Sequence, residues 1–117
     1  MLDKIYKETG TRYNSVNDID WEMLSYSKNL SEDFIKEFQN KVDWNYISIS
    51  QKLSENFIRE FQNKVDWVTI TANQTLSEDF IREFRDRVDW DCIRKYQTLS
   101  EDFIKEFQDE ILKWFRL

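Results

Sequence analysis

The aspartates at 20, 43, 66 and 89 stand at equal intervals of 23 residues, and a carboxylate ladder of this kind is the chain's best raw material for holding a metal ion. A hard cation needs several oxygen ligands drawn to one point, yet no histidine, cysteine or second carboxylate converges on any of the four. A short acidic side chain just ahead of an apolar run has a commoner task, accepting hydrogen bonds from the open first turn of a helix. Each aspartate is followed by a tryptophan, at 21, 44, 67 and 90. Exposed indoles would make a stacking platform for a ligand, whereas indoles in the first turn of an inward-facing helix make a core ladder, which is the expectation here. Catalytic chemistry finds no footing. The chain has no histidine, no glycine-rich phosphate loop and no nucleophile elbow, and its one thiol, Cys92, lacks a base partner. The expectation is a protein that is not an enzyme and uses no metal or cofactor.

What must position these residues is a repeat. LSEDFIKEFQNKVDW begins at Leu30, LSENFIREFQNKVDW at Leu53, LSEDFIREFRDRVDW at Leu76, and a shortened copy opens LSEDFIKEF at Leu99. Repeats of this length cannot bury an apolar face alone and gain stability by stacking on their neighbours. Within each repeat Ser31 and its counterparts Ser54, Ser77 and Ser100 are good N-caps, with Leu30 and Ile35 flanking the cap as a hydrophobic staple. This predicts a first helix starting at Glu32, with Phe34, Ile35, Phe38 and Val42 along one stripe. The device recurs at Asp43, flanked by Val42 and Ile47, and predicts a second helix starting near Trp44. Val65–Thr71 alternates and is β-branched enough to resemble a strand. Its counterparts do not alternate, so it too is assigned to a helix. The predicted fold class is all-α, a short α-solenoid of tandem 23-residue helix-turn-helix hairpins. Residues 1–17 are read as an N-terminal cap and 18–117 as the array, in one domain with the cap. At the far end, Phe103, Ile104, Phe107, Ile111, Trp114 and Phe115 fall on one stripe, which predicts a last helix that runs on and closes the stack.

Composition narrows the partners. With 23 acidic and 17 basic residues the net charge is −6, which argues against a protein that tracks nucleic-acid phosphates. No apolar run approaches the roughly 18 residues needed to cross a bilayer, and the charged opening MLDKIYKETG is unlike a secretory segment. A cytoplasmic protein that binds neither membrane nor nucleic acid directly is expected, and the lone cysteine agrees with a reducing compartment. Glu32 and Lys36, Glu55 and Arg59, Glu78 and Arg82, and Glu101 and Lys105 are spaced as favourable pairs along a helix surface. Glu37 with Lys41, Glu60 with Lys64 and Glu83 with Arg87 add a second row.

The repeats agree at capping and packing positions and differ on the outward side of the second helix. The residues that vary there nominate Tyr26, Asn45, Tyr46, Ile49, Val68, Thr69, Asp91, Lys95 and Tyr96 as a partner-binding surface, in which tyrosines make good anchors. Neutral drift of exposed positions gives the same pattern.

The tandem strings LSEDFIREF and KVDW resemble helical-repeat proteins of giant viruses, bacteriophages and AT-rich bacteria, over about residues 18–117. The resemblance brings no catalytic residues. It implies a viral or phage origin and, with the small acidic chain, an inhibitor in the host cytoplasm that docks on a host defence or regulatory protein, as anti-CRISPR proteins do. Two other functions fit the residues: a structural or self-associating module pairing through Trp114, Phe115 and Leu117 as a weak homodimer, and an acidic mimic of nucleic acid.

Overall fold

The computed structural model describes residues 1–112, so the expectations placed on Trp114, Phe115 and Leu117 lie outside the described residues. Among the described residues the secondary structure is helical throughout. The chain divides into two compact units, Met1–Val65 and Asp66–Leu117, each built of short helix pairs in the α-solenoid manner.

In the first unit, α1 (Leu2–Thr9) ends at Gly10, whose φ of 74° is the left-handed value that a glycine adopts without strain. A single 3-10 turn at Val16–Asp18 leads to α2 (Trp21–Ser27), α3 (Glu32–Glu37), α4 (Trp44–Ser50) and α5 (Glu55–Glu60). The second unit continues with α6 (Trp67–Asn73), α7 (Glu78–Glu83), α8 (Trp90–Tyr96), α9 (Glu101–Glu106) and α10 (Gln108–Leu112). The strand-like stretch VDWVTIT therefore supplies most of α6. Second helices pack on second helices, α2 on α4 and α6 on α8.

The starts of α2 to α9 follow the capping chemistry. Ser31 Oγ accepts from the Phe34 N–H at 3.1 Å and Asp43 Oδ1 from the Tyr46 N–H at 3.1 Å. Ser54, Ser77 and Ser100 repeat the first bond, and Asp20, Asp66 and Asp89 the second. The aspartate ladder is thus a set of helix caps, one carboxylate per helix.

The first helices are shorter than the stripe predicts. Each ends after six residues at a phenylalanine, Phe38, Phe61 or Phe84, with φ between −105° and −109°. A tight turn follows, in which the Lys41 and Val42 N–H groups both bond to the Phe38 carbonyl, at 2.8 and 3.1 Å. Val42 is buried as expected, but by this turn and not by helix. The last helix differs in the same way. It does not run on: Phe107 takes the same cap conformation at φ −109°, and α10 then packs against both α8 and α9. The reason is that Phe107 is held 5.2 Å from the Trp90 ring and 4.7 Å from Phe103, the ring geometry that also sets Phe61 and Phe84.

The core of each unit is made of phenylalanines and isoleucines. Phe57, Phe80 and Phe103 and Ile35, Ile58, Ile81, Ile47, Ile70 and Ile93 are at most 1% exposed. The tryptophans line this core without being sealed into it. Trp44 lies on Phe57 and Phe61, and Trp90 on Phe103 and Phe107, but all four indoles remain half-buried. Part of each ring stays at the surface while the indole N–H finds a carbonyl, Gln39 for Trp44 at 2.9 Å and Arg85 for Trp90 at 3.1 Å. An amphipathic ring with one polar atom settles at such a boundary.

Candidate partner-binding faces

Lys36 and Arg82 do not bond to Glu32 and Glu78, the partners that the sequence spacing predicts for them. Lys36 reaches Glu60 at 3.1 Å, Arg82 reaches Glu106 at 2.8 Å, and Lys4 of α1 reaches Glu37 at 2.8 Å. Glu32 turns onto the next repeat's cap serine, accepting from Ser54 N–H at 2.7 Å and Ser54 Oγ at 3.0 Å. Glu78 does the same to Ser100, and Glu8 of α1 to Ser31. Those two Ser100 bonds hold the Glu78 carboxyl below the usual range, and Glu60 raises the Lys36 ammonium, because each bond favours the charged form. Helix α1 thus stands in for a first helix, supplying both an acid for the following serine and a cation for the following glutamate. The first-helix side is occupied with holding repeats together.

A buried polar ladder, which periodicity alone had not singled out, performs the same task beneath the surface. Gln51 is 5% exposed; its Nε2 donates to the carbonyls of Ser25 at 2.9 Å and Lys28 at 2.6 Å, and its Oε1 accepts from Leu30 N–H at 3.0 Å. Gln97 makes the equivalent bonds to Thr71, Gln74 and Leu76. Ser25 Oγ donates to Trp21 O at 2.6 Å and accepts from Asp43 N–H at 2.9 Å, and Thr71 repeats the arrangement with Trp67 and Asp89. These side chains replace the partners that backbone groups lose at helix ends. The recurrence of glutamine at 51, 74 and 97 was the available signal.

What is left over is the outward side of the second helices, carried separately by each unit. In the first unit Tyr26 is 57% and Ile49 43% exposed, Asn45 is exposed, and Tyr46 is half-buried. Tyr26 and Tyr46 meet edge to face, with ring centroids 5.4 Å apart and planes at 71°. Beside them Met23, 62% exposed, joins Asp20 and Glu22 in lining an open groove of about 490 Å³. Met23 and the two acids were not among the nominated residues, although Glu22 and Met23 occupy the same varied register as Asn45 and Tyr46.

In the second unit Val68 and Tyr96 are 54% and 62% exposed, Lys95 is exposed, and Thr69 and Asp91 are half-buried. Asp91 is engaged within its own helix, accepting from Arg94 at 3.2 Å. Cys92 lies half-buried beside them. Burial first and the Asp89 carboxylate second push its thiol up, which keeps it protonated at neutral pH and poorly nucleophilic.

Among the described residues no group of three or more histidine, cysteine or acidic side chains converges on one point. No described helix is long and apolar enough to cross a membrane. Comparison with protein-family models, with curated proteins and with solved structures finds no match. The class defined by fold and sequence together is a helical-repeat protein with a Trp and Phe motif recurring every 23 residues.

Proposed function

We propose that this chain is a non-enzymatic protein-binding module whose second helices dock on one partner protein and occlude it. The observation that carries this reading is where the large exposed apolar side chains lie. Met23, Tyr26, Ile49, Val68 and Tyr96 all belong to second helices; the others among the described residues, Met1, Tyr6 and Val16, belong to the N-terminal cap region. First helices show none. Exposed apolar clusters on otherwise charged proteins mark places where something binds, and tyrosine and methionine are enriched at the centres of interfaces. The resemblance of the LSEDFIREF and KVDW strings to viral and phage repeats supports the finer reading, an inhibitor acting in a host cytoplasm on a defence or regulatory protein, as anti-CRISPR proteins do.

The acidic-mimic reading gains less support. Glu8, Glu32 and Glu78 face cap serines, and Glu37, Glu60 and Glu106 face basic side chains, so these six acids do not stand as a free phosphate-like row. The test is retention of a partner on immobilised protein from a bacterial lysate, compared among the wild type, a Tyr26→Asp, Ile49→Asp, Tyr96→Asp triple variant, and a first-helix control, Asp33→Asn. A partner held by wild type and control but released by the triple variant is the expected outcome. A partner held equally by all three, or a dimer in light scattering with no partner, would reject the docking face.

A further inference from the structure

We propose that the groove between α2 and α4 receives an arginine side chain presented by an extended segment of the partner protein. The inference deepens the docking reading and rests on it. The groove's lining has two chemistries: the aromatic and thioether surfaces of Tyr26, Tyr46 and Met23, and the carboxylates of Asp20 and Glu22. Among the described residues no lining residue is basic. Asp20 has one oxygen committed to the Met23 N–H at 3.1 Å, while Glu22 is exposed in the first turn of α2.

A plain apolar partner segment would leave these two carboxylates desolvated against it without compensation, which is costly. A lysine would satisfy the charge as a point, but its strongly hydrated ammonium suits an aromatic wall less well than a planar, weakly hydrated guanidinium. An edge-to-face pair consumes one face of one ring, and with Tyr26 57% exposed aromatic surface remains open to the groove for a cation to stack on. The chain already uses this contact elsewhere in the same unit, where the Arg12 guanidinium carbon lies 3.8 Å from the Tyr6 ring centroid. The stacked guanidinium would direct its remaining N–H groups toward Glu22, whose carboxylate accepts them.

The test is a titration of the 15N-labelled full chain with acetyl-Gly-Arg-Gly-amide, followed by amide chemical shifts, with acetyl-Gly-norleucine-Gly-amide as the uncharged control. Saturable shifts centred on Met23, Tyr26 and Tyr46 with the arginine peptide alone are expected. Glu22→Gln and Tyr26→Leu, both at exposed positions, should each weaken the arginine peptide roughly two- to fivefold, the size of an exposed cation–π or charge contact. Equal shifts from the norleucine peptide would overturn the arginine assignment while leaving an apolar docking face in place. Shifts from neither peptide, or arginine shifts unchanged in both variants, would overturn it as well. The docking reading itself is decided separately, by whether the triple variant releases the partner.

Discussion

First and second helices alternate along the chain with similar lengths and the same capping device, yet they have opposite fates. The first helices read EDFIKE, ENFIRE, EDFIRE and EDFIKE; the second read WEMLSYS, WNYISIS, WVTITAN and WDCIRKY. Outward charges of the first kind are tied to the following repeat, as Lys36 is to Glu60 and Glu78 to Ser100, so a change on one face must suit two repeats at once. The second kind buries its inward residues, such as Ile47, Ser48, Ile70 and Thr71, while its outward side chains make surface contacts such as that of Tyr26 on Tyr46. The contrast teaches that the face on which the copies agree is the one that joins them, and that the joints leave the other face free to vary.

The comparison breaks if inward and joint residues turn out to matter no more than outward ones. Phe80, fully buried against Trp67 and Phe84, should cost about 3–5 kcal/mol when changed to alanine, read as a lowered midpoint in urea. Gln51→Ala comes next. It strands the Lys28 carbonyl and the Leu30 N–H at the seam between repeats, while the Ser25 carbonyl keeps Ser50 Oγ at 3.0 Å, and a loss of about 2–4 kcal/mol follows from the two unsatisfied buried backbone groups; a neutral result would mean water replaces the amide without penalty.

Glu78→Gln sharpens the picture through pH. The folded carboxyl lies below the usual glutamate range because of its Ser100 bonds. Its contribution is therefore fully present above the unfolded value, about pH 4.3, and disappears as pH falls through the lowered folded value. The stability gap between wild type and Glu78→Gln should be flat from neutral pH to about pH 5 and close in stronger acid; a gap that persists there would place the effect in packing. The smallest effect belongs to the outward face. The Tyr26→Asp, Ile49→Asp, Tyr96→Asp protein should unfold within about 0.5 kcal/mol per substitution of the wild type, so that a lost partner reports binding and not folding.

Helix starts were legible because capping is local: Ser31 and Asp43 each act on an N–H three residues ahead. Helix ends were not. Phe38 closes α3 while its ring rests 5.5 Å from Trp21 of the preceding repeat, a contact invisible to any window of consecutive residues, and Phe107 ends α9 for the same reason. The pairing of Lys36 with Glu32 failed for a related cause. Spacing offers Lys36 the nearby Glu32, but stacking brings Glu60 within reach while Glu32 turns to Ser54. The varied face was legible by comparing copies, but the contact of the Tyr26 and Tyr46 rings within it was not. The groove beside them needed coordinates, because Asp20 had a sufficient explanation as a cap.

Gln51 binds the main chain of the copy before it, through the Ser25 and Lys28 carbonyls and the Leu30 N–H. A gene that gained a duplicate of codons 30–52 would present each new amide with the same carbonyls at the splice, so the length of such a protein can change in whole steps without redesign. The number of helix pairs is then set by copy number, adjustable by recombination faster than by point substitution.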